Sequence, residues 1–430
     1  MTHVIRLLIS LALVFWLTGP ASSTNYIEVT APGNRLLKLA IVPPQPLGST
    51  VQPERGNEVA ETLVFDLTMS GLFTAERRDA APLHQGLGLS VIDYVPWLTA
   101  GYDLLIRGEY ELRGEELALE FRLFDVLNKK PLLIKRYLGT SKDLRRFSHA
   151  FSDEVLATLT GLRGSFTSRL AFVSNQRGNK EIFMMDWDGH NVRQITTSGA
   201  ITLSPDISPD GRELLFTSYK RGNPDMYKRA LSSSVEVPVS SRPGVNITGA
   251  WSPDGTKIAL ALSKDGNTEL YTINRDGSAP ERLTVTNAAN LSPAWSPDGS
   301  KIAFVSDRFG KPHIFIMDAN GGNVQRLTTN GGNNFNPAWS PKGDKIAYTH
   351  MAGGFQIFTI NPDGSGDSQL TTVGSNERPR WSPDGRLIAF SSKRDGGEAI
   401  YVMRADGSGQ TRVSRTPGKS QHPTWSPRWP

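Results

Sequence analysis

The side chains that could carry metal or acid–base chemistry in this chain are scattered along it. Its seven histidines are His3, His84, His149, His190, His313, His350 and His422. No two of them have the spacing of metal ligands, and the His-Glu-x-x-His pattern of zinc hydrolases does not occur. The Asp-x-Asp-Gly turns lack the further acidic positions and the closing glutamate of a calcium loop, and turn chemistry explains them. The sequence therefore predicts no metal site and no cofactor.

Motifs for covalent catalysis or phosphate binding are also missing from the sequence. There is no Gly-x-Ser-x-Gly elbow, and no glycine-rich phosphate loop follows a predicted strand. Cysteine is absent, which excludes disulfides, thiol catalysis and a lipidated N-terminal cysteine. The net charge of +5 is spread thinly, without a run of five basic residues, so nucleic acid is not predicted as a partner. The sequence therefore contains none of these catalytic motifs.

The first 23 residues have the composition of an export signal. His3 and Arg6 lie in a short polar start, residues 7–17 form an apolar stretch, and small residues follow at Ala21-Ser22-Ser23. Because the apolar stretch is short for a bilayer span, a cleaved signal peptide over residues 1–23 is favoured over an uncleaved anchor. An exported chain without disulfides suits the bacterial periplasm. With 430 residues, the chain is expected to contain two domains.

A Trp-Ser-Pro motif, called here the Trp-Ser-Pro line, recurs through the second half of the chain. Its first residue stands at Ile207, Trp251, Trp295, Trp339, Trp381 and Trp425, with spacings of 44, 44, 44, 42 and 44 residues. Each line except the last is followed by a polar turn and then by a strand similar to Ile302-Ala303-Phe304. Further strands end in a second polar turn and in an Arg-Leu-Thr-like segment. Four strands in a period of about 44 residues are typical of a β-propeller blade.

The number of repeats predicts how the propeller closes. The Ile-Ala-Phe-like strand has one additional copy at Leu170-Ala171-Phe172, which no Trp-Ser-Pro line precedes. Conversely, no strand follows the last line at Trp425-Ser426-Pro427. Each feature therefore occurs six times, out of step by one. We expect a ring of six blades in which the C-terminal strand completes the first blade and removes the exposed sheet edges.

The residues before each Trp fit the innermost strand of a blade. Proline occupies one position in five repeats, with Gly249 in the sixth: Pro205, Pro293, Pro337, Pro379 and Pro423. Proline is tolerated there because the inner strand has an unpaired side facing the channel. The next position is mostly small, except at Asp206 and Arg380. We expect each Trp to lie in the core between blades rather than to stack on a ligand.

The segment before the repeats predicts a small mixed α/β domain. Residues 37–42 form a buried strand, and residues 58–72 place Val59, Leu63 and Leu67 on one face of a helix. A hairpin is predicted from residues 104–112 and 117–126, followed by a strand at residues 131–138. Ser141 is predicted to cap a last helix. The expected organisation is multidomain: an α/β domain over residues 24–165, then an all-β six-bladed β-propeller over residues 166–430.

The order of these features, over essentially the whole chain, resembles the TolB family, the periplasmic translocation proteins of the Tol–Pal system in Gram-negative bacteria. The resemblance rests on the signal peptide, the small α/β domain, the propeller ending in Trp425-Ser426-Pro427 and the joint over residues 151–166. Two places depart from the pattern: the second blade lacks an Asp-Gly turn at residues 229–235, and Lys342 replaces an aspartate. The resemblance implies a non-enzymatic adaptor that supports outer-membrane integrity and constriction during cell division.

The resemblance also implies two protein partners. The peptidoglycan-associated lipoprotein Pal would bind the propeller, and TolA would bind the mature N-terminal stretch, where Tyr26, Ile27 and Val29 have β-propensity. An ordinary first strand of its own sheet is the alternative for that stretch. Other outer-membrane or peptidoglycan-associated proteins would be further partners. The chain is expected to be a monomer that is peripheral to the membrane through its partners only.

The loops that lead into the inner strands should open around one mouth of the channel, because all these strands run the same way. Their first positions are Thr202, Asn246, Asn290, Asn334, Asn376 and Ser420. Their second positions are Leu203, Ile247, Leu291, Phe335, Glu377 and Gln421, followed in the last repeat by His422 as a polar lining residue. Asparagine also suits turns, so local backbone bonding is the alternative for the first positions. Apolar second positions within a polar rim are typical of an interface, which predicts the Pal site here.

The alternative from a different functional class is a secreted TolB-like propeller that acts as a polysaccharide lyase. Such an enzyme would need a cluster of histidines and carboxylates over the channel, and the dispersed histidines argue against it. A carbohydrate-binding or peptide-binding propeller would differ from the adaptor only in its ligand. Retention of proteins from an envelope extract would distinguish that module from the adaptor.

Overall fold

The computed structural model describes residues 35–47, 53–79, 92–351 and 353–428. The predicted signal peptide and the N-terminal stretch with Tyr26, Ile27 and Val29 lie outside these ranges. Within the same ranges, no helix is long and apolar enough to cross a membrane. The chain forms a mixed α/β domain followed by a six-bladed propeller, as the sequence predicts. The boundary that we place at residues 165 and 166 falls between the last helix and the first propeller strand.

A mixed sheet with two long helices forms the N-terminal domain. Its elements are β1 (Leu37–Ile41), β2 (Gln45–Pro46), α1 (Pro53–Met69), β3 (Phe73–Arg77), α2 (Val95–Thr99), β4 (Leu104–Arg113), β5 (Glu116–Asp125), β6 (Lys130–Thr140) and α3 (Leu144–Thr160). The strands have the order β3-β1-β4-β5-β6, and β2 pairs with β4. β1 is parallel to β3 and β4, whereas β4, β5 and β6 are antiparallel. Alternate side chains of β5, including Leu119 and Phe121, are buried with the apolar faces of α1 and α3.

Both long helices differ at their ends from the prediction. α1 begins at Pro53, whose fixed φ suits a first turn, and it ends at Met69, shortly before Gly71 with a φ of +76°. α3 begins at Leu144, because a 3-10 turn spans residues 141–143. There the carboxylate of Asp143 accepts hydrogen bonds from the backbone N (2.8 Å) and the hydroxyl (2.9 Å) of Thr140. The prediction that Ser141 caps this helix is therefore wrong.

The propeller consists of six four-stranded antiparallel sheets, named here from the innermost strand outwards. Blade 1 contains β30 (Ser420–Trp425), β7 (Arg169–Ser174), β8 (Glu181–Asp186) and β9 (Arg193–Gln194). Blade 2 contains β10 (Thr202–Ile207), β11 (Glu213–Ser218), β12 (Asp225–Ala230) and β13 (Glu236–Ser240), and blade 3 contains β14 (Asn246–Trp251), β15 (Lys257–Leu262), β16 (Glu269–Asn274) and β17 (Glu281–Arg282). Blade 4 contains β18 (Asn290–Trp295), β19 (Lys301–Ser306), β20 (His313–Asp318) and β21 (Gln325–Arg326). Blade 5 contains β22 (Asn334–Trp339), β23 (Ile346–Met351), β24 (Phe355–Ile360) and β25 (Ser368–Gln369), and blade 6 contains β26 (Asn376–Trp381), β27 (Leu387–Ser392), β28 (Ala399–Arg404) and β29 (Thr411–Arg412).

The C-terminal strand closes the ring. β30 pairs antiparallel with β7, with Gln421 opposite Val173 and Trp425 opposite Leu170. Beyond the strand, the backbone N of Ser426 donates to the carbonyl of Arg169 at 2.8 Å. The pairing gives blade 1 its inner strand from the far end of the chain, which confirms the closure expected from the offset repeats.

Every inner strand contains a β-bulge at the residue two positions before its small or variable residue. The bulge residues have φ between +51° and +58°: Ser204, Thr248, Ser292, Asn336, Arg378 and His422. The pairing register with the second strand shifts at each of them. Because none is glycine, the usual residue at positive φ, the sequence pattern does not reveal the bulge. At the bulge, the side chain does not follow the alternation between the two faces of a regular strand.

The repeated Trp side chains lie between neighbouring blades, as predicted. The indole Nε1 atoms of Trp295, Trp381 and Trp425 donate to backbone carbonyls of the preceding blade at 3.3, 3.1 and 3.0 Å. Trp251 and Trp425 are 6% and 8% exposed. The N–H group of each of these three indoles therefore links one blade to the next by a hydrogen bond, while the ring fills the space between them.

Side-chain hydrogen bonds fix the turn that follows each Trp. Ser252 donates to Asp254 at 2.5 Å, and Ser296 makes the same bond to Asp298. Where Lys342 replaces the aspartate, the hydroxyl of Ser340 donates to Asp344 instead. The departure in that repeat therefore leaves the turn intact, because a carboxylate two positions later supplies the acceptor.

The N-terminal domain packs on blades 1 and 6, at the end of the propeller where the inner strands finish. The hydroxyl of Ser165 accepts a hydrogen bond from the backbone N of Asp384 at 2.9 Å. One buried apolar cluster continues across the contact, from Phe151 in α3 to Trp187 in the turn after β8. The mouth where the inner strands begin is therefore at the opposite end of the propeller from this domain.

Candidate partner-binding face and propeller channel

The first residues of the inner strands are buried beneath the mouth. At most 1% of each of these residues is exposed: Thr202, Asn246, Asn290, Asn334, Asn376 and Ser420. The amide nitrogen of Asn290 donates to Glu269 of blade 3 at 2.7 Å and to Thr286 at 2.8 Å. Asn376 makes the corresponding bond to Gln356 of blade 5 at 2.9 Å. These side chains join neighbouring blades and are not accessible to a partner. Asn246 and Asn376 also donate to the nearby backbone carbonyls of Arg242 (2.8 Å) and Val373 (3.0 Å), which is the local bonding of the alternative interpretation.

The second residues of the inner strands reach the mouth to different degrees. Leu203, Ile247, Leu291, Phe335 and Glu377 are half-buried, whereas Gln421 is buried. The apolar members also pack into the cores between blades, and Leu291 contacts two of these cores. The accessible apolar side chains thus lie on blades 2 to 5, and polar residues take their place on blades 6 and 1. Their contact with Pal stays a prediction.

Six further apolar side chains lie exposed on the mouth face, in loops for which the repeat pattern gives no signal. They are between 37% and 78% exposed: Ile201, Tyr219, Val285, Phe309, Met351 and Val373. Each belongs to, or borders, a connection that opens at the mouth: from the second to the third strand of a blade, or from the fourth strand to the next inner strand. The signal available in the sequence is an apolar residue within a polar loop, as in Asp307-Arg308-Phe309-Gly310. Exposed apolar side chains grouped on one face indicate an interaction surface.

Charged groups occupy the mouth on blades 6 and 1. Lys393 lies 3.4 Å from the carboxylate of Glu377. Gln421 lies between an acid and a base: with its amide oriented to satisfy both, the nitrogen donates to Glu398 at 3.2 Å and the oxygen accepts from Lys180 at 2.8 Å. Burial raises the pKa of Glu398. This mouth is therefore apolar on one side and charged on the other, which gives a partner a defined orientation.

The channel behind the mouth encloses a cavity of about 230 Å³. Small or neutral side chains line it on blades 3 to 5, whereas Asp206, Arg378 and Arg380 line it on blades 2 and 6. The carboxylate of Asp206 accepts from the backbone N of Trp251 at 2.9 Å, and burial raises its pKa to about 6. Burial, and then the neighbouring Arg380, lowers the pKa of Arg378 to about 10. A pKa of about 10 keeps the guanidinium of Arg378 charged at neutral pH.

His422 stands at the bulge of β30, beside the two arginines. Burial, and then the charges of Arg378, Lys180 and Arg380, lowers its pKa well below the ordinary value, so the ring is neutral. Its Nδ1 accepts a hydrogen bond from the backbone N of Ser204 at 3.4 Å. The ring therefore bridges the bulges of blades 1 and 2. Among the residues that the structure describes, no group of three His, Asp or Glu side chains is placed to hold a metal ion.

Two family models cover most of the chain. The model of the TolB amino-terminal domain matches residues 25–132, and the model of the TolB beta propeller domain matches residues 156–429. The chain belongs to the TolB family. Similar TolB proteins extend over its whole length: the Tol-Pal system protein TolB of Geobacter sulfurreducens is 63% identical over 432 residues, covering 100% of both chains. That of Geobacter metallireducens is 64% identical over 408 residues, covering 95% of both.

A solved TolB structure has the same architecture. The crystal structure of TolB from Acinetobacter baumannii superposes with a TM-score of 0.79 at 25% identity, covering 91% of this chain and 97% of that chain. Each of the two domains, and their arrangement in sequence, is thus a TolB feature rather than a peculiarity of this chain.

A buried charged cluster links the two domains of this TolB-family chain, and the sequence analysis missed it. His149 of α3 lies with Nδ1 2.9 Å from Asp66 of α1 and with Nε2 3.2 Å from Asp188 of blade 1. Arg145 donates to Asp188 through Nε at 2.7 Å. Burial favours the neutral imidazole, but Asp66 and then Asp188 raise the pKa of His149 to about 10. The sequence signal is a polar residue beside an apolar helical stripe, as with His149 beside Phe151.

Proposed function

We propose that this chain is a non-enzymatic periplasmic adaptor of the Tol–Pal system. It binds Pal at the propeller mouth and TolA through its mature N-terminal stretch, and it supports outer-membrane integrity and constriction during division. The observation that carries the proposal is the full-length identity of 63% to a protein named for the Tol-Pal system. Export to the periplasm follows from the predicted signal peptide over residues 1–23.

The chemistry of the mouth supports a protein ligand there. Half-buried Leu203, Ile247, Leu291 and Phe335 surround the channel, and the exposed loop residues extend this apolar surface outwards. The charged pair of Lys393 and Glu377 borders it. An apolar centre with a polar edge is the composition of protein interfaces. Because the N-terminal domain packs on the opposite end, a protein can reach this face without displacing that domain.

For TolA, the proposed segment is the stretch with Tyr26, Ile27 and Val29, outside the described residues. Within the described sheet, β1 is flanked by β3 and β4, so a further strand could add only at the free edges of β3 or β6. If the stretch forms a strand, it therefore pairs either with a strand of TolA or with the free edge of β3 or β6.

The test is retention of Pal by the immobilised chain from solubilised envelopes. Replacing Leu291 and Phe335 together by aspartate should weaken Pal binding by at least ~2 kcal/mol, the range of an interface hot spot. The control is Val235→Asp, which changes an exposed apolar residue at the opposite end of the propeller. TolA binding should be unaltered in all of these variants.

Because Leu291 and Phe335 also pack into the blades, each variant is first checked for the thermal unfolding midpoint of the native chain. Phe309→Asp supplies a second probe, since Phe309 is 64% exposed and meets the core only where its ring stacks on Phe315. Full Pal affinity in a folded double variant and in Phe309→Asp would move the Pal site away from the mouth.

A further inference from the structure

Two arginine side chains enter the central channel from the same inner strand, β26. Arg378 occupies the bulge position, where the other inner strands have neutral residues: Ser204, Thr248, Ser292, Asn336 and His422. Arg380 occupies the position that is alanine in blades 3, 4 and 5. Both arginines line the channel cavity. They therefore break the repeat at two places that face one space.

The charges that line the cavity do not cancel. Asp206 is the carboxylate of this lining, and its charge favours the charged form of Arg380. Its oxygens already accept from the backbone N of Trp251 at 2.9 Å and from the hydroxyl of Thr424 at 3.5 Å. If the negative charge of Asp206 is counted against the positive charge of Arg380, the positive charge of Arg378 remains uncompensated.

The guanidinium of Arg378 has no hydrogen bond or ion pair with any residue in the described part of the chain. The carboxylates of Glu377 and Glu398 favour its charge, but neither lies in ion-pair contact with it. Arg378 is half-buried, so its charge loses part of its hydration without gaining a partner, and Arg380 beside it adds like-charge repulsion. An anion in the channel would remove both costs.

The cavity has room and chemistry for such an anion. Its volume of about 230 Å³ far exceeds the roughly 10–15 Å³ that one water molecule needs on the same measure. A guanidinium presents a planar fork of N–H donors that matches the two oxygens of a carboxylate. The lining contains two arginines and one aspartate, so one bound monoanion would make its net charge zero.

We propose that the propeller channel is a binding site for one carboxylate anion, held by Arg378 with Arg380 beside it. The carboxylate has two sources: a small free carboxylate in solution, or an acidic side chain of a protein that is docked at the mouth. Asp206 opposes binding, since its negative charge competes for the same arginines. The site does not depend on the proposed function, because either source fills it with the same chemistry.

The experiment follows the arginine 15Nε–1Hε signals of the full chain by NMR during titration with formate at constant ionic strength. The signals of Arg378 and Arg380, assigned by their loss in Arg378→Gln and Arg380→Gln, should shift and saturate. Arg394 of the same blade is the internal reference, because it donates to Ser392 at 2.9 Å and to Asn376 at 3.0 Å. Its signal should not follow the titration.

Variants test the assignment of charges. Arg378→Gln should weaken formate binding, read from the Arg380 signal, by about tenfold or more, the worth of one charged hydrogen bond. Asp206→Asn should strengthen it. Lys311→Gln, which removes the same charge from an exposed mouth residue of blade 4, is the matched control and should leave the formate affinity unchanged.

A second titration uses N-acetyl-aspartate amide as a model of an acidic side chain. Saturable shifts with formate alone would assign the site to a free small anion, and shifts with both probes would show that a protein carboxylate can fill it. Shifts that never saturate, that are equal at Arg394, or that persist in Arg378→Gln with full affinity would overturn the proposal.

Discussion

Polar side chains that recur at the junctions between blades hold neighbouring blades together. In the sequence, the same residues resemble a binding motif. Thr284 Oγ1 accepts from the backbone N of Leu270 at 2.9 Å and donates to Glu269, while Asn290 donates to the same carboxylate. Glu269 is fully buried. A buried carboxylate is tolerated only when donors satisfy it, so each member of the group is required by the others.

Replacing Asn290 by alanine should therefore lower the free energy of unfolding by about 1–3 kcal/mol, because the buried carboxylate of Glu269 loses one of its donors. Urea unfolding of the variant measures it. The control is Asn330→Ala, which removes an exposed side-chain hydrogen bond to Asp367 and should change stability little. Loss of Pal binding in a variant of unchanged stability would instead make Asn290 a contact residue.

At the scale of elements, the inner strands combine three constraints within six residues. The bulge, the following proline and the Trp each occupy a fixed place, and all face the channel or the gap between blades. Because the strand has no partner on its channel side, proline costs no hydrogen bond there. In blade 1 this inner strand is the C-terminal strand β30, so the closure of the ring depends on the last strand of the chain.

Deleting residues 421–430 should destabilise the propeller by several kcal/mol, because blade 1 loses its inner strand and exposes apolar surface at ~25 cal/mol per Å². The thermal unfolding midpoint is the measurement. Removing only Trp429 and Pro430 is the matched control, since β30 ends at Trp425. An unaltered midpoint after the long deletion would contradict the closure as a source of stability.

At the scale of the whole molecule, the two ends of the propeller differ. One end carries the mouth with its apolar loops, and the other carries the N-terminal domain with the buried cluster of Asp66, His149 and Asp188. The two surfaces are separated by the length of a blade. A protein bound at the mouth would therefore leave the end with the N-terminal domain accessible, which agrees with the proposed adaptor function.

The charged cluster predicts how the contact between the domains depends on pH. The pKa of His149 is raised to about 10 from 6.5, so its protonated form stabilises the folded chain fully below pH 6.5 and loses this effect as pH rises through about 10. His149→Gln should lower the free energy of unfolding by about 3 kcal/mol near pH 6 and by less toward pH 10. Urea unfolding at a series of pH values measures the difference.

The control for this pH series is His190→Gln. His190 is nearby, but burial and Arg145 lower its pKa rather than raise it, so no loss of stability through pH 10 is expected. A stability difference for His149→Gln that is independent of pH would contradict a charged imidazole in the cluster.

The proposed function also predicts independent partner binding. Removing residues 24–29 should abolish TolA binding and leave Pal binding intact, because the proposed Pal face consists of propeller residues and not of this stretch. Pull-down of each partner by the truncated chain measures this. Full TolA binding without these residues would refute the assignment of that stretch.

The repeated Trp-Ser-Pro lines by themselves determined the six blades, the position of the inner strands and the closure by the C-terminal strand. Such features are local, since turn residues and alternating apolar strands recur at a fixed period. In the N-terminal domain the same local signals place the hairpin of β4 and β5, and the short edge strand β3 escapes them because its five residues alternate weakly between polar and apolar.

Only the tertiary structure decided what each polar side chain does. The asparagines at the start of the inner strands look like rim residues, but they are buried because the preceding blade covers them. Phe309 and the other exposed apolar residues share a face only through the ring, and His149 meets its carboxylates from another helix and another domain. Burial and charge pairing join residues far apart in the chain, so no pattern along the sequence carries them.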